Sequence, residues 1–152
     1  MGTRCSITIR DRYGKEYRIY RHCDGYPEGV LSDLQTLMRV YDGSPVESPE
    51  RFLADFIFYA TLDWWMRRYN KKRRNKKQGS QLAPFDYGVC SPDCEHGDLE
   101  YEYLIYPKDG KVMLRIVQVP YKIIFNGEIE SAFERWAVDG GCHVNPKLLL
   151  LE

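Results

Sequence analysis

Three absences frame the 152-residue sequence. Net charge is absent, since 22 Lys and Arg balance 22 Asp and Glu, so any preference for a charged partner must come from local clustering. A long apolar run is absent: no wholly apolar stretch, Leu148 to Leu151 included, comes near the length needed to cross a bilayer. Histidine is scarce, with only three, which confines imidazole chemistry to His22, His96 and His143. The start, Met1-Gly2-Thr3-Arg4-Cys5, runs into a strand-like alternation without the apolar core of a secretory signal. The expectation is a soluble, cytoplasmic chain with no membrane partner. No P-loop, dinucleotide glycine fingerprint, nucleophile elbow or H-E-x-x-H occurs.

What is present belongs to an ordinary globular domain. Hydrophobic residues make up 43% and charged residues 29%, outside the disordered range. A chain of this size buries roughly two thirds of its unfolded surface, enough for one self-sufficient core over residues 1–152. Five cysteines, an odd number, argue for a reducing compartment over a disulfide framework.

Cys5, Ile7 and Ile9 alternate with Arg4, Ser6, Thr8 and Arg10, the period of a half-buried strand. After the turn Asp11-Arg12-Tyr13-Gly14, the segment 15–22 alternates again, with Tyr17 and Ile19 on one face and Arg18, Tyr20 and His22 on the other. Val30, Leu31, Leu34, Leu37, Met38 and Tyr41 recur at helical spacing, and Pro27 suits the first turn of that helix. Ser48-Pro49-Glu50 starts a second helix whose stripe is Phe52, Leu53, Phe56, Ile57 and Ala60. Strands are expected over 98–106 and 111–119, a short one over 121–125 ending before Asn126-Gly127, and a brief helix over 128–137. The order ββαα-βββα predicts an α+β fold: an antiparallel sheet of about five strands with two main helices on one face. A mobile basic loop is expected at about 71–84.

Between the hairpin and the first helix lies a dense polar turn, Tyr20-Arg21-His22-Cys23-Asp24-Gly25-Tyr26-Pro27-Glu28-Gly29. Asp24-Gly25 permits a sharp reversal, with Gly25 the residue suited to positive φ. Free amides at the following helix start attract anions, and Arg21 can clamp a phosphate or carboxylate bidentately. Arg18, Arg21, His22, Asp24 and Tyr26 are therefore the candidate ligand-binding groups. An equal reading is structural, with Asp24 capping the turn and Arg21 and His22 paired with acids. His22 and Asp24 could also join His96 and Asp98 in a metal- or acid/base-assisted site, if the turn and the later segment meet in space.

Two further clusters stand out. Cys90, Cys94 and His96 place three soft ligands in seven residues, and Cys142, or else the His22-Cys23 pair, could complete a zinc set. Ordinary free cysteines without any cofactor are the leading reading, with zinc the alternative. Eight of the 22 basic residues, including Arg67, Arg68, Lys71, Lys72, Arg73 and Arg74, fall between Arg67 and Lys77. Beside Tyr69 and Trp64-Trp65, they could engage nucleic-acid phosphates and bases, against the simpler reading of a solvated helix end.

The polar turn, with His96-Gly97-Asp98-Leu99-Glu100-Tyr101 later, resembles an uncharacterised family of small proteins from phages, archaeal viruses and prokaryotic mobile elements. The resemblance covers about the first 40 residues and one later strand. It implies a viral or mobile-element setting in which small proteins antagonise host defence, and it supplies no activity. Those relatives often carry a large aromatic where this chain has Cys23, which implies no ligand or nucleophile role for that thiol. The reading is a non-enzymatic binding protein that sequesters a nucleotide-like anion or a host defence component. The alternative is a phosphodiesterase or nuclease using His22, Asp24, His96 and Asp98. A third reading is a nucleic-acid-binding accessory protein. Self-association into a homo-oligomer is compatible with all three.

Overall fold

The computed structural model describes residues 2–64, 87–91 and 93–138. The hairpin forms as the alternation requires, from β1 (Cys5–Arg10) and β2 (Glu16–Arg21), paired antiparallel with Thr8 opposite Arg18. Its turn is fixed by the Asp11 carboxylate, which accepts from the backbone N–H groups of Tyr13 and Lys15 at 2.8 and 2.9 Å. Helix α1 (Pro27–Val40) starts on its proline, and α2 (Pro49–Trp64) starts after Ser48, whose carbonyl accepts from Phe52 N–H at 3.0 Å.

The remaining strands are β3 (Tyr87–Cys90), β4 (Tyr101–Lys108), β5 (Lys111–Gln118) and β6 (Lys122–Glu128), followed by α3 (Ile129–Trp136). They build one six-stranded sheet in the order β3-β2-β1-β4-β5-β6. The fold is α+β, as the element order predicts. Three details differ from expectation. The sheet is mixed, because β1 and β4 run parallel, and a sixth strand, β3, adds to the edge of β2. The last strand also continues through Asn126-Gly127, which pair with Arg115 and Leu114. The basic segment expected to be a mobile loop at 71–84 lies outside the described residues.

The three helices among the described residues cover one face of the sheet. Cys5, Ile7 and Ile9 of β1, Ile19 of β2, Tyr103 and Ile105 of β4, and Leu114 and Ile116 of β5 point into that side. They meet Val30, Leu31, Leu34 and Leu37 of α1, Phe52 and Phe56 of α2, and Ile129 and Phe133 of α3 in one core. The opposite face carries Ser6, Thr8, Arg10, Glu16, Arg18, Tyr20, Glu102, Leu104, Arg115 and Val117 by strand parity.

The core thiol makes a pH prediction. Burial pushes Cys5 up from 9.0 to about 12, against a lowering by the nearby Arg21 charge. Above pH 9 the unfolded chain releases a thiol proton that the folded chain keeps, so this group withdraws stability as pH rises. Its contribution falls by about 1.4 kcal/mol per pH unit until about pH 12. Urea unfolding between pH 9 and 11 should show that slope lessened by this amount in Cys5→Ala; an unchanged slope would mean that Cys5 does not stay protonated in the folded state.

Candidate functional site

The polar turn is held from several directions. Asp24 itself takes the left-handed conformation, φ +55°, where Gly25 was expected to. Aspartate tolerates this region better than most side chains. Gly25 is required for space: a Cβ there would lie 2.8 Å from the Thr3 carbonyl oxygen and 2.9 Å from Cys5 Cβ. Its N–H donates to Thr3 O at 2.9 Å, and its carbonyl accepts the buried Tyr103 hydroxyl at 2.7 Å. Gly29 lets the first turn of α1 close against the Asp24 carbonyl, which a Cβ would meet at 2.5 Å. Both glycines face backbone atoms that cannot swing aside. Gly29→Ala should therefore cost about 1–3 kcal/mol by overpacking, read as a lowered urea midpoint, and a neutral substitution would remove this account of the turn.

Arg21 is the main correction. Strand parity carries it inward with Tyr17 and Ile19, and its side chain is only 3% exposed. Nη2 lies 2.8 Å from Asp33 Oδ2 of α1, and Nε donates to Cys23 O at 2.8 Å. The guanidinium carbon sits 5.9 Å from the ring centroids of both Phe56 and Tyr87. Burial pushes the group down, but the charges of Tyr87 and Asp33 outweigh it and the net direction is up. The clamp expected of Arg21 for an external anion is thus closed on an internal carboxylate, which matches the structural reading of the turn.

The five expected ligand groups do not converge. Arg18 lies on the uncovered face, Arg21 on the helix side, and Asp24 accepts from the Tyr26 hydroxyl at 3.2 Å within the turn. His22 stands beside Tyr20, whose hydroxyl is 3.3 Å from His22 Nδ1.

The turn and the later His96-Gly97-Asp98 segment do meet, and Tyr20 is where they meet. Its hydroxyl donates to Asp98 Oδ2 at 3.2 Å, and its ring stacks on the His96 imidazole at 4.5 Å and 21°. Asp98 also pairs with Arg4 at 3.2 Å. Partial burial, then the Asp98 charge, pushes the Tyr20 phenol up. His22, Asp24 and Asp98 nevertheless do not gather with His96 as a metal set. Among the described residues, the only group of His, Cys, Asp or Glu compact enough to hold an ion is Cys90, Cys94 and His96. His96 Nε2 lies 2.9 Å from Cys90 Sγ and 3.6 Å from Cys94 Sγ. Burial, then the neighbouring Cys94, pushes the Cys90 thiol up. Cys142 and the basic residues Arg67, Arg68, Lys71, Lys72, Arg73 and Arg74 lie outside the described residues.

A feature the turn-centred reading missed lies on the uncovered sheet face. A shallow depression of about 150 Å³ is lined by Arg10, Arg18 and Arg115, the hydroxyl-bearing Ser6 and Thr8, and Glu16 and Glu102. Arg18 Nε donates to Thr8 Oγ1 at 2.8 Å, which lays its guanidinium across the sheet. Arg10 is engaged by Glu16 at 2.9 and 3.1 Å. Arg115 makes no hydrogen bond or ion pair within the described residues. Ser6 and Thr8 are buried although they face away from the helices. The alternation Arg4-Ser6-Thr8-Arg10 was the sequence signal for this face.

Comparison with protein families, with curated proteins and with solved structures returns no match. Among the described residues, no helix is long and apolar enough to cross a membrane.

Proposed function

We propose that the protein is a non-enzymatic binding protein for a nucleotide-like anion, with the ligand's phosphate seated on the uncovered sheet face between Arg18 and Arg115. One observation carries this reading: three guanidinium groups and two hydroxyls line a single depression whose floor is the small residues Ser6 and Thr8. Planar guanidinium forks match phosphate oxygens, and hydroxyls donate to the oxygens that remain. Glu16 and Glu102 leave the lining one positive charge in excess, and Glu16 draws mainly on Arg10. Tyr20, His22 and His96 stand half-buried at the end of this face nearest the turn, where aromatic rings suit a nucleobase. The resemblance of the turn to mobile-element proteins gives the reading its setting, in which sequestering a nucleotide signal blunts a host defence.

The test is retention. The protein is incubated with cyclic di-AMP, passed through gel filtration, heated to denature it, and the supernatant analysed by chromatography. Intact nucleotide, lost in Arg18→Ala and Arg115→Ala without a change in thermal midpoint, is the expected result. A cleaved nucleotide would favour the phosphodiesterase reading. Equal retention by wild type and both variants would remove the proposed seat. Retention should also fall with added salt, because the contact is to phosphate.

A further inference from the structure

The loop after β3 gathers three soft donors by three separate constraints. Cys90 is the last residue of β3 and lies opposite Arg18 in the ladder with β2. Cys94 is brought back towards it by a turn closed by its own N–H to Ser91 O at 2.9 Å. The His96 ring is fixed by the stack on Tyr20. The three donor atoms lie within 4.8 Å of one another. Tetrahedral zinc, with bonds of about 2.3 Å to sulfur and about 2.0–2.1 Å to nitrogen, sets neighbouring S and N about 3.6 Å apart. The Cys94–His96 separation of 3.6 Å already has that value, and the Cys90–His96 separation of 2.9 Å must open slightly. Three residues between Cys90 and Cys94 fall within the spacing common to zinc ligand pairs.

We propose that Cys90, Cys94 and His96 bind a zinc ion. Two thiols and an imidazole select a soft or borderline divalent cation over magnesium or calcium, which require oxygen ligands. The three residues fill three of four tetrahedral positions. Binding pins the loop to the end of β3, a four-residue edge strand whose ladder partner is β2. The site adjoins the anion seat, since Arg18 Nη1 donates to Cys94 O at 3.4 Å, but its ligands are not the seat's arginines, so Arg18→Ala and Arg115→Ala test the seat while Cys90→Ser and Cys94→Ser test the metal.

The protein is prepared untagged in reducing buffer, loaded with zinc, passed through gel filtration and analysed for metal. The metal-stripped form is then titrated with cobalt(II). The expected results are about one zinc retained per chain, and intense visible d–d bands with a thiolate-to-cobalt charge-transfer band. Cys90→Ser and Cys94→Ser each lose both signals with the circular dichroism spectrum preserved, while Cys23→Ser keeps them. His96→Gln, a milder change, keeps the charge-transfer band but loses zinc through gel filtration. A wild-type protein that does not retain zinc would overturn the proposal, as would undiminished retention in Cys90→Ser and Cys94→Ser.

Discussion

Asp33→Ala should lower folding stability by about 3–5 kcal/mol, measured by urea unfolding at neutral pH. Asp33 is fully buried on α1 and faces Arg21, whose guanidinium is closed off by α2 and β3 through Phe56 and Tyr87. Removing the carboxylate leaves a buried cation that cannot shed its proton within any accessible pH range. The reverse change, Arg21→Met, leaves an aspartate that can take up a proton, so it should cost less. It also removes the bond from Arg21 Nε to Cys23 O, which holds the turn to the end of β2. Replacing both residues together, Arg21→Met with Asp33→Leu, should recover much of the loss, because a buried pair exchanged for apolar groups of similar size is often near neutral. If Asp33→Ala costs under about 1 kcal/mol, the pair is not the anchor described here.

The second large effect is expected at Phe56. Its ring is fully buried, meets Tyr87 edge-on at 6.1 Å and 86°, and lies under the Arg21 guanidinium. Phe56→Ala should cost about 3–5 kcal/mol, most of it lost transfer free energy and cavity formation. Part of that cost belongs to Arg21, which loses one of its two aromatic walls. A double-mutant cycle between Phe56→Leu and Arg21→Met should return a coupling of about 0.5–2 kcal/mol. A coupling of zero would mean that the guanidinium gains nothing from the ring and that Asp33 alone accounts for its burial.

Much of this was legible in the sequence, and the gaps have physical causes. The hairpin, the start of α1 at Pro27 and the start of α2 after Ser48 are local features, set by alternation, turn chemistry and capping. The parallel pairing of β1 with β4 is not local: Cys5 meets Tyr101 across most of the chain, and no short-range pattern specifies it. Strand β3 was hidden because Tyr87-Gly88-Val89-Cys90 is brief, contains a glycine and runs into a cysteine cluster that draws the eye to ligand chemistry. The inward turn of Arg21 follows from the same parity as Tyr17 and Ile19, yet a charged residue at a strand end reads as exposed until its partner Asp33 is seen. The arginine-lined depression needed register as well as parity. Thr8 lies opposite both Arg18 and Leu104, and Leu104 lies opposite Arg115, so residues far apart in sequence become neighbours on one face.

The central claim is that the turn arginine is structural and that the open-face arginines receive the anion. Arginine Nε–H resonances, followed by NMR during titration with inorganic pyrophosphate, test it most directly. The account predicts that the signals of Arg18 and Arg115 shift while that of Arg21, held on Cys23 O, stays in place. Movement of the Arg21 signal with Arg18 and Arg115 unmoved would contradict it.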